Sequence, residues 1–362
     1  MSKGLTFCPL MIKKHYMDAP YLPDSKLIIE KDGTIARRKR LVIHASYKCN
    51  VDCPYYFEDQ ENKNPAPSAV MDLIRDAIKG GTEWITFAGG EPLLDGNLPL
   101  YAENIRSLKK ETRIEIRTNA ILCEDFAFAK RLKDSGITDA SICMPTRIQD
   151  TYKRMMGRKI SLEAAMKGMF SLEKAGIGIE ASVILTRENM TELPELVSFI
   201  HQNFADAAIE ASIVVPERIK LEPTVILPEF GDVKEHIVSA VNRAISLKVR
   251  FRLAERESPP PCVLLDSPDH MLAVEFYKGA DKEAGGAFMK AAACDSCFLK
   301  EYCFGIRKSY MDIYGDSELQ PVNQKLAADL ISLKFPASGR RLSGLELIKI
   351  RRERRRGVVR DL

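Results

Sequence analysis

The sequence has no apolar run approaching the ~20 residues needed to cross a bilayer, so no membrane-spanning segment is expected in these 362 residues. The stretch Met1 to Lys14 has no apolar h-region, and no secretory leader is expected there. The nine cysteines therefore do not read as a disulfide framework. Metal or catalytic roles in a cytoplasmic protein are expected instead. There is no low-complexity tract beyond one arginine-rich run, Arg351 to Arg356. No aromatic residues interleave with those arginines or with Arg37-Arg38-Lys39-Arg40, so nothing suggests stacking on nucleic acid bases. A strong charge imbalance is missing too: 54 Lys and Arg against 50 Asp and Glu leave a formal +4. The two basic clusters read first as a solvated helix end and a frayed tail. Their second reading is contact with a nucleic acid, an acidic partner or a membrane surface.

What is present is a repeating alternation. With 45% apolar residues, the chain can bury a core for one large domain, or for a large domain plus a small one. Short β-branched runs fall at 41–46, 84–88, 114–119, 139–144, 179–185 and 208–214. Helical patterns at 68–79, 97–109, 124–135, 161–175 and 191–203 separate them, and another follows at 231–247. In the first helix Val70, Leu73, Ile74, Ala77 and Ile78 share one face. Gly80-Gly81, Gly136 and Gly176 stand where each helix must stop. Strand–helix alternation of this kind predicts right-handed βαβ units and a parallel sheet. The expected fold is α/β: a partial (β/α)6 TIM-like barrel plus a small cysteine-rich C-terminal module.

The expected division is as follows. Residues 1–40 are an N-terminal extension with a hairpin turning at Lys31-Asp32-Gly33. Residues 41–257 form the barrel, ending before Ser258-Pro259-Pro260-Pro261. Residues 258–325 form the cysteine-rich module, and 326–362 a helical, basic tail. Ligands in such folds bind at the C-terminal ends of the strands.

Two motifs lie just past strand ends. The first is Cys49-Asn50-Val51-Asp52-Cys53-Pro54-Tyr55-Tyr56-Phe57, and the second is Gly89-Gly90-Glu91-Pro92. A Gly-Gly pair alone reads as a tight turn. A further set, Cys262 and then Cys294-x2-Cys297-x5-Cys303, supplies four thiolates for a closed site. Zinc and a four-iron cluster both suit four thiolates, and spacing does not choose between them.

The first two motifs together resemble the radical S-adenosylmethionine (SAM) superfamily, which reads Cys-x3-Cys-x2-Cys and then Gly-Gly-Glu-Pro after the next strand. The resemblance covers residues 40 to 325. It implies a 4Fe-4S cluster held by three thiolates, with SAM bound to the remaining iron and an electron donor such as flavodoxin or ferredoxin. It implies a 5′-deoxyadenosyl radical that abstracts hydrogen from a substrate. Cys49 and Cys53 match two ligands, and Tyr55 matches the aromatic residue by the adenine. Gly89, Gly90, Glu91 and Pro92 match the motif that meets the methionyl amino group. Asn119, at the end of Arg117-Thr118-Asn119, and Ser141 are further cofactor candidates, with Asn189 after them.

Tyr56 is the departure, because it stands where the family has its third cysteine. Phenolate is a harder donor than thiolate, with a reference pKa of ~10 against ~8.5. Three readings stay open: a single-site variant of an active enzyme, a degenerate paralogue, or an unusual ligand. Cys8 and Cys123 are other thiols in principle, and Cys143 reads as a buried strand residue.

The second cysteine set, followed by Gly305, is similar to the SPASM or twitch extension of this family. That implies one auxiliary 4Fe-4S cluster, with structural zinc as the alternative. The implied substrate is a peptide or protein. Two other readings are kept: a non-catalytic peptide-binding scaffold, and an RNA-modifying enzyme that uses the basic tail.

Overall fold

The structure is a computed structural model and describes residues 21–29, 35–56, 63–157, 160–336 and 338–356. The expected turn at Lys31-Asp32-Gly33 and Cys8 lie outside them. One eight-stranded sheet dominates, with its strands in sequence order. They are β1 (Tyr21–Ile29), β2 (Ile35–Ser46), β3 (Trp84–Gly89), β4 (Arg113–Thr118), β5 (Asp139–Cys143), β6 (Gly178–Leu185), β7 (Ala208–Ile213) and β8 (Arg250–Leu253). β1 runs antiparallel to β2, as the hairpin reading requires. β2 to β8 are seven parallel strands curled into a half-barrel.

The sequence predicts six of those strands and misses β8. The reason is physical. Arg250 and Arg252 occupy alternate positions of this four-residue strand, so its pattern lacks an apolar run. β2 also starts earlier than expected, because residues 35–40 pair with β1. A helix at Gln149–Met156, unmarked by any long periodic pattern, follows β5.

Two faces with different chemistry follow from the period of two. Ile85, Phe87, Ile114, Ile116, Ile142 and Ala181 have no accessible surface and join one core with the surrounding helices. The alternate positions on the concave face include small and charged residues. Thr86 donates to Glu115 at 3.1 Å. Arg252 pairs with Glu180 at 3.1 Å and also with Glu210. Arg117 lies 3.8 Å from Glu115, its side chain still 42% exposed within the concavity. Closed barrel interiors are normally packed with branched apolar side chains. This one is furnished to meet a polar ligand.

Past β8 the chain runs through short 3-10 turns and a two-stranded sheet, β9 (Phe288–Met289) with β10 (Ile306–Arg307). It ends in helices at Gln324–Lys334 and Gly344–Arg355. The arginine run is a helix end that is solvated except at its start. Arg351 is buried and bonds Asp269 and Asp329, both at 2.6 Å. Arg352 and Arg355 also turn towards Asp269. Arg351 thus packs the last helix onto the protein, while Arg354, Arg355 and Arg356 stay exposed. No helix among the described residues is long and apolar enough to cross a membrane.

Candidate functional site

The mouth of the half-barrel is built where two loops interlock. The N–H groups of Gly90 and Glu91 donate to the carbonyls of Ser46 and Lys48, at 2.7 and 2.8 Å. A Cβ on Gly89 would stand 2.2 Å from the Ser46 oxygen, and one on Gly90 would stand 2.4 Å from that of Lys48. Gly89 also has a φ of +117°, which favours glycine. The glycines thus let the loop carrying Cys49 seat directly on the end of β3. The approach seen is between the two loops.

Glu91 is fully buried. Its carboxylate accepts from Leu93 N at 3.1 Å, Thr118 Oγ1 at 2.8 Å and Asn119 N at 2.9 Å. It therefore ties the end of β3 to the end of β4 and caps the 3-10 turn that starts at Pro92. Burial lifts its pKa from 4.5 to about 7, against the pull of those three donors. Asn119 continues the tie: its Nδ2 donates to Asn50 Oδ1 at 2.7 Å, and its Oδ1 accepts from Ile121 N at 3.1 Å. Asn189 is likewise engaged, bonding Thr186, Pro145 and Ile184. Ser141 lies on the concave face, in register with Arg117 and Glu180.

The cysteine loop is strapped from the opposite side. Lys220 donates its N–H to Pro54 O at 3.0 Å and pairs its ammonium with Asp52. Asp52 N bonds Met156 O at 3.2 Å, at the end of the Gln149–Met156 helix. Cys49 and Cys53 are both half-buried. Tyr55 is 2% exposed and donates its hydroxyl to Met156 Sδ at 3.1 Å. Tyr56 takes another course. Its half-buried ring lies under the Arg218 guanidinium, 5.0 Å from the ring centroid, a cation–π contact.

Cys143 is a strand residue, as expected. It ends β5 on the same face as Ser141, so it points into the concavity rather than into the helix-covered core. Its sulfur is 3.6 Å from Tyr55 Oη and 3.9 Å from Met156 Sδ; the sulfur of Cys53 is 3.6 Å from the same Met156 Sδ. Burial pushes the thiol of Cys143 up to about 11 and also raises those of Cys53 and Cys49; neighbouring thiols add to the shifts of Cys143 and Cys53, and the Glu91 carboxylate adds to that of Cys49. Cys123, the other spare thiol, is buried in the core beside the turn after β4.

A second site lies in the C-terminal module. Cys262, Cys294, Cys297 and Cys303 all line one apolar cavity, with Lys290, Gly305, Gln320 and Val322 around them. The backbone serves the sulfurs: Gly305 N donates to Cys303 Sγ at 3.3 Å and Val322 N to Cys297 Sγ at 3.4 Å. Burial raises the Cys262 thiol to about 12, partly offset by a bond from the Gln320 backbone. Among the described residues, no three His, Cys, Asp or Glu side chains close around the point one ion would occupy. The four sulfurs border a space rather than touching.

A family model described as the radical SAM superfamily matches residues 43–200. The chain carries a radical SAM domain. That domain holds the cysteine loop, the Gly-Gly-Glu-Pro turn and Cys143. Curated relatives include a probable GTP 3′,8-cyclase of Methanococcus aeolicus, 26% identical over 189 residues, covering 50% of this chain and 62% of the relative. Another is the Fe-coproporphyrin III synthase of Methanosarcina barkeri, 26% identical over 51% of this chain and 45% of the relative. The chain thus spans about half the length of the curated relatives it matches. Among solved structures, SuiB of Streptococcus suis bound to S-adenosylmethionine superimposes with a TM-score of 0.56 at 15% identity, over 78% of this chain and 76% of SuiB. Native anSMEcpe with bound AdoMet gives 0.56 at 12% identity, over 86% of this chain and 98% of that one. At these identities the likeness is one of fold.

Proposed function

We propose that the chain is a radical SAM enzyme acting on a peptide or protein, with one auxiliary iron–sulfur cluster in its C-terminal module. The observation that carries this reading is the seating of the Cys49–Cys53 loop on Gly89-Gly90-Glu91. It places two thiols and a buried tyrosine over a polar concave face, at the strand ends where such folds bind ligands.

The two cysteine sets fit their groups unequally. In the module, four thiols, an apolar cavity and backbone N–H groups aimed at sulfur suit a four-iron cluster, whose potential such bonds tune. A single zinc would draw four sulfurs to ~2.3 Å from one point, and no such convergence occurs among the described residues. Cys262, Cys294, Cys297 and Cys303 would hold the cluster, supplying an electron relay or a substrate contact. In the mouth, Cys49 and Cys53 are soft donors and Tyr56 is not, so that loop by itself does not make the three-thiolate holder of the family. The family's cluster, where it is held, supplies the electron that splits SAM.

The chain's own residues account for the remainder. Glu91 and Asn119 lock the cysteine loop to β3 and β4. Lys220 and Asp52 strap its far side. The concave face sets Glu115, Glu180 and Glu210 against Arg117 and Arg252, and Glu257 adds to their field at Arg117. SuiB and anSMEcpe have both been solved with peptides, which supports a peptide or protein as the substrate class.

The test is anaerobic iron–sulfur reconstitution of this chain beside its Tyr56→Cys variant, with SAM added after reduction. A SAM-perturbed paramagnetic signal and 5′-deoxyadenosine from the variant are expected. Neither appearing would sink the reading and leave the barrel as a binding scaffold.

A further inference from the structure

The concave face presents a thiol that the cysteine loop does not supply. β5 alternates strictly: Ala140 and Ile142 turn into the helix-covered core, while Ser141 and Cys143 face the concavity. Cys143 is the last residue of the strand and so stands at the mouth. Its sulfur and that of Cys53 flank one thioether, Met156 Sδ, at 3.9 and 3.6 Å. The backbone of Met156 is stitched to the cysteine loop through Asp52. Met156 is unbranched with three rotatable bonds, so its sulfur can leave without moving the helix that bears it. The space it vacates would be bordered by thiols from the loop and from β5. Tyr56, in contrast, is committed to Arg218.

Resting on the radical SAM reading, we propose that Cys143 is the third thiolate of the mouth site, taking the place left by Tyr56. The cluster is then held by Cys49 and Cys53 from the loop and by Cys143 from the end of β5. Tyr56 becomes a packing residue that steadies the 216–218 turn. Cluster sulfur ligation asks for soft anionic donors on a rigid support, and a strand end is more rigid than a loop.

The experiment uses the full chain with its auxiliary site intact. Wild type, Cys143→Ser, Tyr56→Phe, Tyr56→Cys and Tyr56→Cys/Cys143→Ser are reconstituted with iron and sulfide without oxygen. Each is assayed for iron, for visible absorption and for the spin signal after dithionite; circular dichroism and melting verify folding. Two four-iron clusters per chain, about eight irons, are expected for wild type and for Tyr56→Phe. Cys143→Ser is expected to fall to about four, and Tyr56→Cys to restore about eight even with Cys143→Ser present. Equal iron in wild type and Cys143→Ser overturns the proposal. If Tyr56→Cys gains a SAM-perturbed cluster that wild type lacks, the proposal fails and the radical SAM reading stands. If Tyr56→Cys gains none either, both fail.

Discussion

The two cysteine sites of this protein are prepared in different ways. In the C-terminal module the main chain meets the sulfurs, through Gly305, Val322 and Gln320, over a cavity already shaped. At the mouth, among the described residues, backbone support reaches Cys49, from Asn50 and Val51, while Cys53 and Cys143 meet Met156 and Tyr55. Backbone donors cannot swing away, whereas a thioether and a phenol can. The module is arranged for a permanent tenant, and the mouth for a group that must also admit a substrate.

Removing thiols from the module should have the largest effect. Cys294→Ser with Cys297→Ser is expected to lower bound iron by about four per chain. It should also expose the 288–322 region to protease, because metal binding energy is folding energy in small metal modules. Mouth spectra should persist. If protease resistance is unchanged, the module is held by its packing alone.

A matched pair of glycine substitutions sharpens the contrast. Gly90→Ala would drive a methyl into the Lys48 carbonyl, and Gly305→Ala into that of Met289, where φ is +97°. Each should cost about 3 kcal/mol. Iron analysis should show the first emptying only the mouth and the second only the module. Loss of both clusters from either change would mean the two sites are one cooperative unit.

The smallest effect concerns protons. Glu91, buried at the mouth, has its pKa raised to about 7. A carboxyl that binds its proton more tightly when folded contributes stability that is fully present below pH 4.5, its ordinary value, and is lost as pH rises through 7. The loss should be at most about 3 kcal/mol. Urea midpoints between pH 5 and 8 should therefore decline in the wild type and stay flatter in Glu91→Gln. Parallel slopes in the two proteins would show that another group carries the effect.

Six of the seven parallel strands and the helices between them, apart from Gln149–Met156, were legible because apolar residues recur at the right periods, as Val70 and Ile74 do on the first helix. β8 was hidden because its concave positions carry Arg250 and Arg252, and strand reading depends on apolar alternation. Cys143 was legible as a strand residue but its face was not drawn out, although two residues after Ser141 on a strand is the same face. The strap from Arg218 and Lys220 was beyond reach, since a contact across 168 residues leaves no local trace. At the glycine pair the contact between the two loops was not legible, because sequence does not show which atoms a Cβ there would strike.

The hairpin that begins the described chain has a consequence in time. Arg37 on β2 reaches Glu255, 218 residues away, and lies 5.0 Å from the centre of the Tyr277 ring. A ribosome releases β2 long before either partner exists. The βα units between them close over short separations and can form as they emerge. The first strands made are thus expected to be among the last secured, and pulse-labelling hydrogen exchange during refolding should find β1 and the start of β2 protected after β4 to β6.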